Sequence, residues 1–167
     1  MSEMNFGRID VHSHLLPGID DGCPNLEESL ACARRMVEAG YTHSFCTPHI
    51  WPNLPQNTVE GIASRVVDLQ RVLDAANTPL KLFPGGELNL RADLVELPPE
   101  QIPTYGMARR YCLFDIWVER LPAFFWTTVE WLQSKELKVI LAHPERMRAV
   151  QRVGLVLAAA GVAMVTF

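Results

Sequence analysis

Imidazoles and carboxylates recur in this chain at spacings that suit metal ions. His12 and His14 sit two residues apart in IDVHSHLLPGIDDG, with the paired acids Asp20 and Asp21 close behind. On a strand, side chains alternate with a period of two, so His-x-His puts both rings on one face, where they can hold one ion. His49 in CTPH, Glu87 in FPGGEL, Asp115 in YCLFDIW, and His143 with Arg146 in LAHPER follow. Imidazole nitrogen and carboxylate oxygen are ligands that Mn²⁺, Fe²⁺ and Zn²⁺ accept, and a carboxylate can bridge two ions. Each motif alone also has an ordinary reading: Asp20-Asp21-Gly22 as turn and cap chemistry, Gly85-Gly86 as a simple turn before a solvated acid.

The elements that must position these residues are read from period and punctuation. Residues 8–14 read as a strand. Asn25 with Glu28 forms a capping-box start, Leu26, Leu30, Ala33 and Val37 then fall on one helical face, and Gly40 ends the helix. YTHSFCTPH reads as a second strand closing at Pro48. Asn57 and Glu60 repeat the cap signal before Ile62, Val66, Leu69 and Leu73, a second amphipathic stripe. Beyond it the pattern predicts a strand around 80–84, a Pro-rich irregular stretch at 98–103 and a strand at 111–117. A helix at about 122–136, a strand at 138–142, a helix near 147–160 and a strand at 162–166 complete it.

Strands alternating with helices imply an α/β fold with parallel pairing, in a barrel or an open doubly wound sheet. Such folds gather the carboxyl ends of their strands at one face, where ligands bind. His12, His14, His49 and His143 all fall at such ends, with Glu87 in the following loop and Asp115 in the fourth strand. Only His43 lies inside a strand, where it reads as structural.

Composition narrows the function classes. At 167 residues and 49% hydrophobic content the chain suits one globular domain. A formal net charge of -4 gives no broad basic field, so nucleic acid is not an expected partner. Cys23, Cys32, Cys46 and Cys112 form no C-x-x-C pair, which suggests reduced thiols. The N-terminus lacks a secretory pattern, so a cytoplasmic location is expected. The apolar run VGLVLAAAGVAMVTF is shorter than the roughly 20 residues of a membrane span and reads as buried core. It ends inside an apolar strand, leaving an edge that a further segment, or a second copy in a homo-oligomer, is expected to cover.

The ordered set DVHSH, PGIDDG, TPH, PGGEL and AHPER resembles the PHP (polymerase and histidinol phosphatase) superfamily of metal-dependent phosphoesterases. More closely it is similar to the bacterial capsule and exopolysaccharide tyrosine phosphatases of the CpsB/CapC type. The resemblance implies a distorted (βα)₇ TIM-like barrel, present here with about six strands, and a cluster of two or three divalent ions. Manganese is the leading candidate, with iron, zinc or magnesium as alternatives. His12 and His14 would bind the first metal, Glu87 would bridge two, His143 and Asp115 would serve the second, and Asp21 and His49 the third. Two departures stand out: family members usually carry Glu where Asp115 stands, one methylene longer. They also close the barrel with a strand bearing Asp-x-His, before which this chain stops, so a C-terminally truncated domain is expected.

The implied reaction is hydrolysis of a phosphate monoester, foremost phosphotyrosine on a protein such as a bacterial tyrosine kinase, with Arg146 clamping phosphoryl oxygens. A thiolate route needs Arg six positions after Cys; Ser29, Glu38, Pro52 and Val118 stand there instead. Rival readings are a histidinol-phosphatase-like enzyme acting on small molecules, and a catalytically weak remnant that binds a partner. Amidohydrolases also open with His-x-His, but Lys81 and Lys138 fall at strand starts, the wrong face for their bridging lysine. Among the aromatic residues, Trp117, Phe124, Phe125, Trp126 and Trp131 are expected mainly in helix packing. Trp51, just after His49, is the better candidate for a substrate rim.

Overall fold

The computed structural model describes residues 7–118, 120–146, 148 and 161–165. Among the described residues, eight parallel strands lie in two sheets. The first has the order β1 (Arg8–Ser13), β2 (Tyr41–Cys46), β4 (Lys81–Pro84). The second runs β3 (His49–Ile50), β5 (Glu87–Asn89), β6 (Tyr111–Asp115), β7 (Lys138–Ala142), β8 (Ala163–Val165). Six passes of the chain become eight strands because two passes break and change sheets. Pro48 makes one break: it has no N–H to continue the ladder. Thr47 N–H still donates to Ser13 of β1 at 2.8 Å, while the Pro48 carbonyl accepts from Glu87 N–H of β5 at 2.9 Å. Gly85-Gly86 makes the other break, and a Cβ on Gly86 would collide with Ile50 and Pro103. The result is the α/β architecture of parallel βα repeats in an incomplete barrel, with β1 and β8 at outer edges.

Helix α1 (Leu26–Glu38) starts where expected, with Asn25 Oδ1 accepting Glu28 N–H at 2.9 Å. Its buried face centres on Ser29 and Ala33, whereas Leu26 is exposed. Leu30 and Val37 pack partly against the same core, while Leu26, in the first turn, lies at the rim of a groove with Pro17, Leu69 and Val72. Helix α2 (Val59–Ala75) buries all four stripe residues, Ile62, Val66, Leu69 and Leu73, each stabilising by about 1.5–3 kcal/mol. Its cap is Thr58, which accepts Gly61 N–H at 3.0 Å. Asn57, the expected cap, is buried in the preceding loop and donates from Nδ2 to the carbonyls of His49 (2.8 Å) and Ile19 (3.0 Å). It ties the turn after β1 to the strand that carries His49.

Helix α3 (Phe124–Ser134) buries Phe125, Thr128, Val129 and Leu132 over the second sheet. One apolar cluster lies around Leu15, Leu16, Leu69, Leu73 and Leu82, and another around Leu88, Phe114, Phe125 and Leu141; Ile50 packs against both. Irregular 3₁₀ turns occupy Ala92–Glu96, Pro99–Gln101 and Tyr105–Met107, spanning the Pro-rich stretch. The helix expected near 147–160 lies outside the described residues except for Arg148. Among the described residues no helix is long and apolar enough to cross a membrane.

Candidate metal centre

The carboxyl ends of the strands bring His12, His14, His49, Asp115 and His143 around Glu87, and the loop after β1 sets Asp21, the remaining expected ligand, against His14 and His49. Parallel pairing sets this arrangement. His49 is in register with Glu87, and Asn89 with Asp115, so a period of two places Glu87 and Asp115 on one face. Glu87 is fully buried. Its Oε2 lies 3.4 Å from His12 Nε2, 3.3 Å from His14 Nε2 and 3.0 Å from His49 Nδ1, while Oε1 lies 3.5 Å from His143 Nε2. The chain turns His143 inward just past β7 with a positive φ of 52°, a conformation uncommon outside glycine.

Three ligand triads can be drawn with donor atoms within 4.8 Å: His12, His14, Glu87; His14, Asp21, His49; and His49, Glu87, Asp115. The grouping is more shared than the resemblance implied. His14 and His49 each serve two triads, and Glu87 also belongs to two. Asp21 is the exposed member, its carboxylate 3.4 Å from His49 Nε2 and 3.7 Å from His14 Nδ1.

The donor set fits divalent cations. Both Glu87 oxygens, His49 Nδ1 and Asp115 Oδ1 are buried without a hydrogen-bond partner, although nitrogen and oxygen approach to 3.0 Å. Without a metal the charge of Glu87 is balanced by the surrounding imidazoles alone, and a cation set between the same atoms would supply both the charge and the missing bonds. Soft thiolate is absent from these triads, which leaves a nitrogen and oxygen set of the kind that manganese, iron(II) and zinc accept.

Electrostatics of the cluster follow from this crowding. Burial raises the Glu87 pKa, but the imidazoles of His12, His14 and His49 overcome it and hold the carboxyl far below its usual range. Burial lowers the His14 pKa, yet the carboxylates of Asp20 and Glu87 prevail and push it up to about 10. His49 is raised in the same way, burial being outweighed by Glu87. Asp115 is pushed up to about 6 by burial and by the charge of Glu87. His143 is lowered, mainly by burial.

Asp20 was not singled out as a functional residue from sequence, and the structure gives it a definite part. Its buried Oδ2 lies 2.7 Å from His14 Nδ1 and accepts His49 N–H at 3.0 Å; Oδ1 accepts Gly22 N–H at 3.0 Å. A carboxylate on the far nitrogen of a ligating histidine fixes ring orientation and raises its basicity. Gly22 is required for the same packing, because a Cβ there would collide with the His14 backbone and Cβ. The DDG motif thus does more than turn the chain: the first acid orients a ring, the second faces the cluster.

Other expectations resolve by position. His43 hydrogen-bonds Thr42 at 2.7 Å, stacks on Phe83 and lies apart from the cluster. Lys81 and Lys138 begin β4 and β7, on the rim opposite the ligands. The Cys46 and Cys112 thiols are buried and pushed up to about 12 by desolvation, so neither is a nucleophile. Trp51 packs on His49 at 4.2 Å between ring centroids but lines a neighbouring groove. The cavity facing the cluster, about 360 Å³, is lined instead by Trp117 and Arg146 together with His12, His14, Asp21, His49 and His143.

Comparison with known proteins finds clear relatives. The chain is 27% identical over 144 residues to the tyrosine-protein phosphatase YwqE of Bacillus subtilis, covering 86% of this chain and 56% of that protein. It is 25% identical over 144 residues to the tyrosine-protein phosphatase CpsB of Streptococcus pneumoniae, covering 86% and 59%. A crystal structure from work on YwqE of B. subtilis and CpsB of S. pneumoniae, metal-dependent tyrosine phosphatases, superposes with a TM-score of 0.85 at 26% identity. That match covers 94% of this chain and 65% of the other. The chain thus spans a little over half the length of the curated relatives it matches. The model of the family of capsular polysaccharide synthesis proteins CpsB/CapC matches residues 8–160, nearly the whole sequence, and the chain belongs to that family.

Proposed function

We propose that this domain hydrolyses phosphate monoesters with the help of divalent cations, and that its physiological substrate is phosphotyrosine on a protein. The observation that carries the reading is Glu87: a buried carboxylate facing four imidazoles and near Asp115, with both oxygens lacking hydrogen bonds. The names of the similar proteins support the substrate class. His12, His14 and Glu87 would hold one ion and His49, Glu87 and Asp115 a second, with His143 beside Glu87 and Asp21 beside His49; a neutral imidazole offers one free nitrogen, so the third triad, His14, Asp21 and His49, is an alternative grouping of the same rings. Such ions supply Lewis acidity and a water nucleophile near neutral pH.

The protein's own groups do the remaining work. Arg146 lines the cavity above the cluster, and its planar guanidinium can take two phosphoryl oxygens at once. Asp20 keeps His14 oriented, Asn57 anchors the segment bearing His49, and the positive φ of His143 turns its ring toward Glu87. In the net reaction water oxygen bonds to phosphorus, the aryl P–O bond breaks, and a proton from water ends on the phenol oxygen. Manganese is the preferred ion, a tyrosine kinase the preferred protein substrate, and the cytoplasm the location consistent with both. The test is release of phosphate from a phosphotyrosyl peptide by protein stripped with EDTA and reloaded with Mn²⁺. Activity that returns with the metal supports the proposal; activity indifferent to EDTA, or absent after reloading, refutes it.

A further inference from the structure

We propose that Trp117 is the residue that receives the aromatic leaving group and so makes the site prefer aryl over alkyl phosphates; this rests on the phosphatase reading above. Tryptophan is seldom left open to solvent without cause, yet Trp117 is 60% exposed. Among the described residues, the four other aromatic residues that follow β6 pack into or against the core: Phe125 is buried, and Phe124, Trp126 and Trp131 cover the same cluster.

Three contacts fix where the Trp117 ring stands. Its indole N–H donates to Asp115 Oδ2 at 2.6 Å, which anchors the ring beside the cluster and leaves Asp115 Oδ1 buried without a hydrogen-bond partner. The Arg146 guanidinium lies over its ring, 5.2 Å from the centroid. It also forms a wall common to two cavities. One is the cluster-facing cavity; the other, about 430 Å³, is lined by Asp115, Ile116, Val118 and Arg148 besides Trp117, His143 and Arg146. Because three residues are common to both linings, the two form one cleft: a polar end at the rings of His12, His14 and His49 and a mixed end walled by indole and aliphatic side chains. A phosphoryl group held at the polar end against Arg146 directs its ester substituent along Trp117. A flat ring gains contact area and offset stacking there that a short alkyl group cannot.

Asp115 ties the two roles together. The acid is a methylene shorter than glutamate, and the indole N–H holds it in place. Trp117 is therefore also a positioning residue for Asp115, and its two roles separate by substitution: Trp117→Phe keeps a ring without the N–H, and Trp117→Leu removes the ring.

The experiment measures binding of phenylphosphonate and methylphosphonate, neither hydrolysable, to the Mn²⁺-loaded protein by calorimetry, with metal content and thermal melts recorded for each variant. The unsubstituted protein is expected to bind phenylphosphonate at least about fivefold tighter than methylphosphonate. That preference should fall below about twofold in Trp117→Leu and persist in Trp117→Phe, with metal loading weakened in both. A preference undiminished in Trp117→Leu overturns the assignment while leaving the phosphatase reading intact. Loss of the preference in a folded, metal-loaded Trp117→Phe overturns it equally. Binding of neither anion by the unsubstituted metal-loaded protein instead overturns the phosphatase reading, and this inference with it.

Discussion

Metal binding should be paid for in protons, and the amount can be worked from His14. Its ring sits between Asp20 at 2.7 Å and Glu87 at 3.3 Å, and these carboxylates outweigh burial to bring its pKa to about 10 in the metal-free protein. Against the ordinary value of 6.5, that is a preference for the protonated ring of about 5 kcal/mol. A ligating imidazole must be neutral, so a cation has to displace this proton. Between pH 6.5 and 8.5 the neutral fraction of such a group grows about a hundredfold, whereas that of an ordinary imidazole grows only about twofold. The apparent Mn²⁺ affinity should therefore tighten by about a hundredfold over that range, with His49, also raised, adding to the slope. Competition against a chromogenic chelator measures the affinity. Calorimetry in two buffers of different ionisation heat counts the protons, about one or more per binding event at pH 7.5 against about a tenth for an unperturbed histidine. An affinity that changes less than about threefold between pH 6.5 and 8.5 would show that the carboxylates do not hold His14 protonated.

Replacing Asp20 with Asn should weaken Mn²⁺ binding by about 10- to 100-fold and flatten the pH slope, read by the same competition assay; unchanged affinity and slope would remove Asp20 from the site. Glu87→Gln, which keeps shape but loses the charge used by two triads, should retain the fold by circular dichroism yet lose at least one equivalent of metal by elemental analysis. In EDTA the folded protein should melt highest near pH 5–6. Glu87 and Asp20, both lowered, stabilise above about pH 4.5 and lose that contribution in acid; His14 and His49, both raised, stabilise below about 6.5 and lose it as pH rises toward 10. Burial of Asp115 adds a penalty that builds from about pH 3.8 to about 6, burial of His143 opposes it with a gain that is complete by about 6.5, and a maximum above pH 8 would contradict this balance. Asn57→Ala should cost about 2–3 kcal/mol in urea melts, more than the about 1 kcal/mol of Thr58→Ala, because it strands two buried carbonyls.

Much of the fold is legible because its signals are local. The caps at Asn25 and the α2 stripe from Ile62 to Leu73 need only neighbours in sequence, and both appear where the periodicity puts them. The convergence of the candidate residues is legible for a related reason: a parallel α/β fold collects strand ends, so imidazoles at those ends meet without any further assumption. What sequence could not show depends on contacts across the fold. Cap chemistry favours Asn57 as readily as Thr58; the decision is made by the carbonyls of Ile19 and His49, 38 and 8 residues away. Glu87 was expected in a loop, but β3, two residues long, recruits it into a strand. Asp20 and Asp21 are equivalent as letters, and only the position of the His14 ring tells the orienting acid from the facing one. Trp117 reads as one more core aromatic until the described strand ends at Asp115 and leaves the indole outside.

The most direct test of the central claim is diffraction from crystals of the Mn²⁺-loaded protein with anomalous data at the manganese edge. The account predicts anomalous peaks within coordination distance of Glu87, one flanked by His12 and His14 and another by His49 and Asp115. Strong peaks elsewhere, with Glu87 contacting no metal, would contradict it.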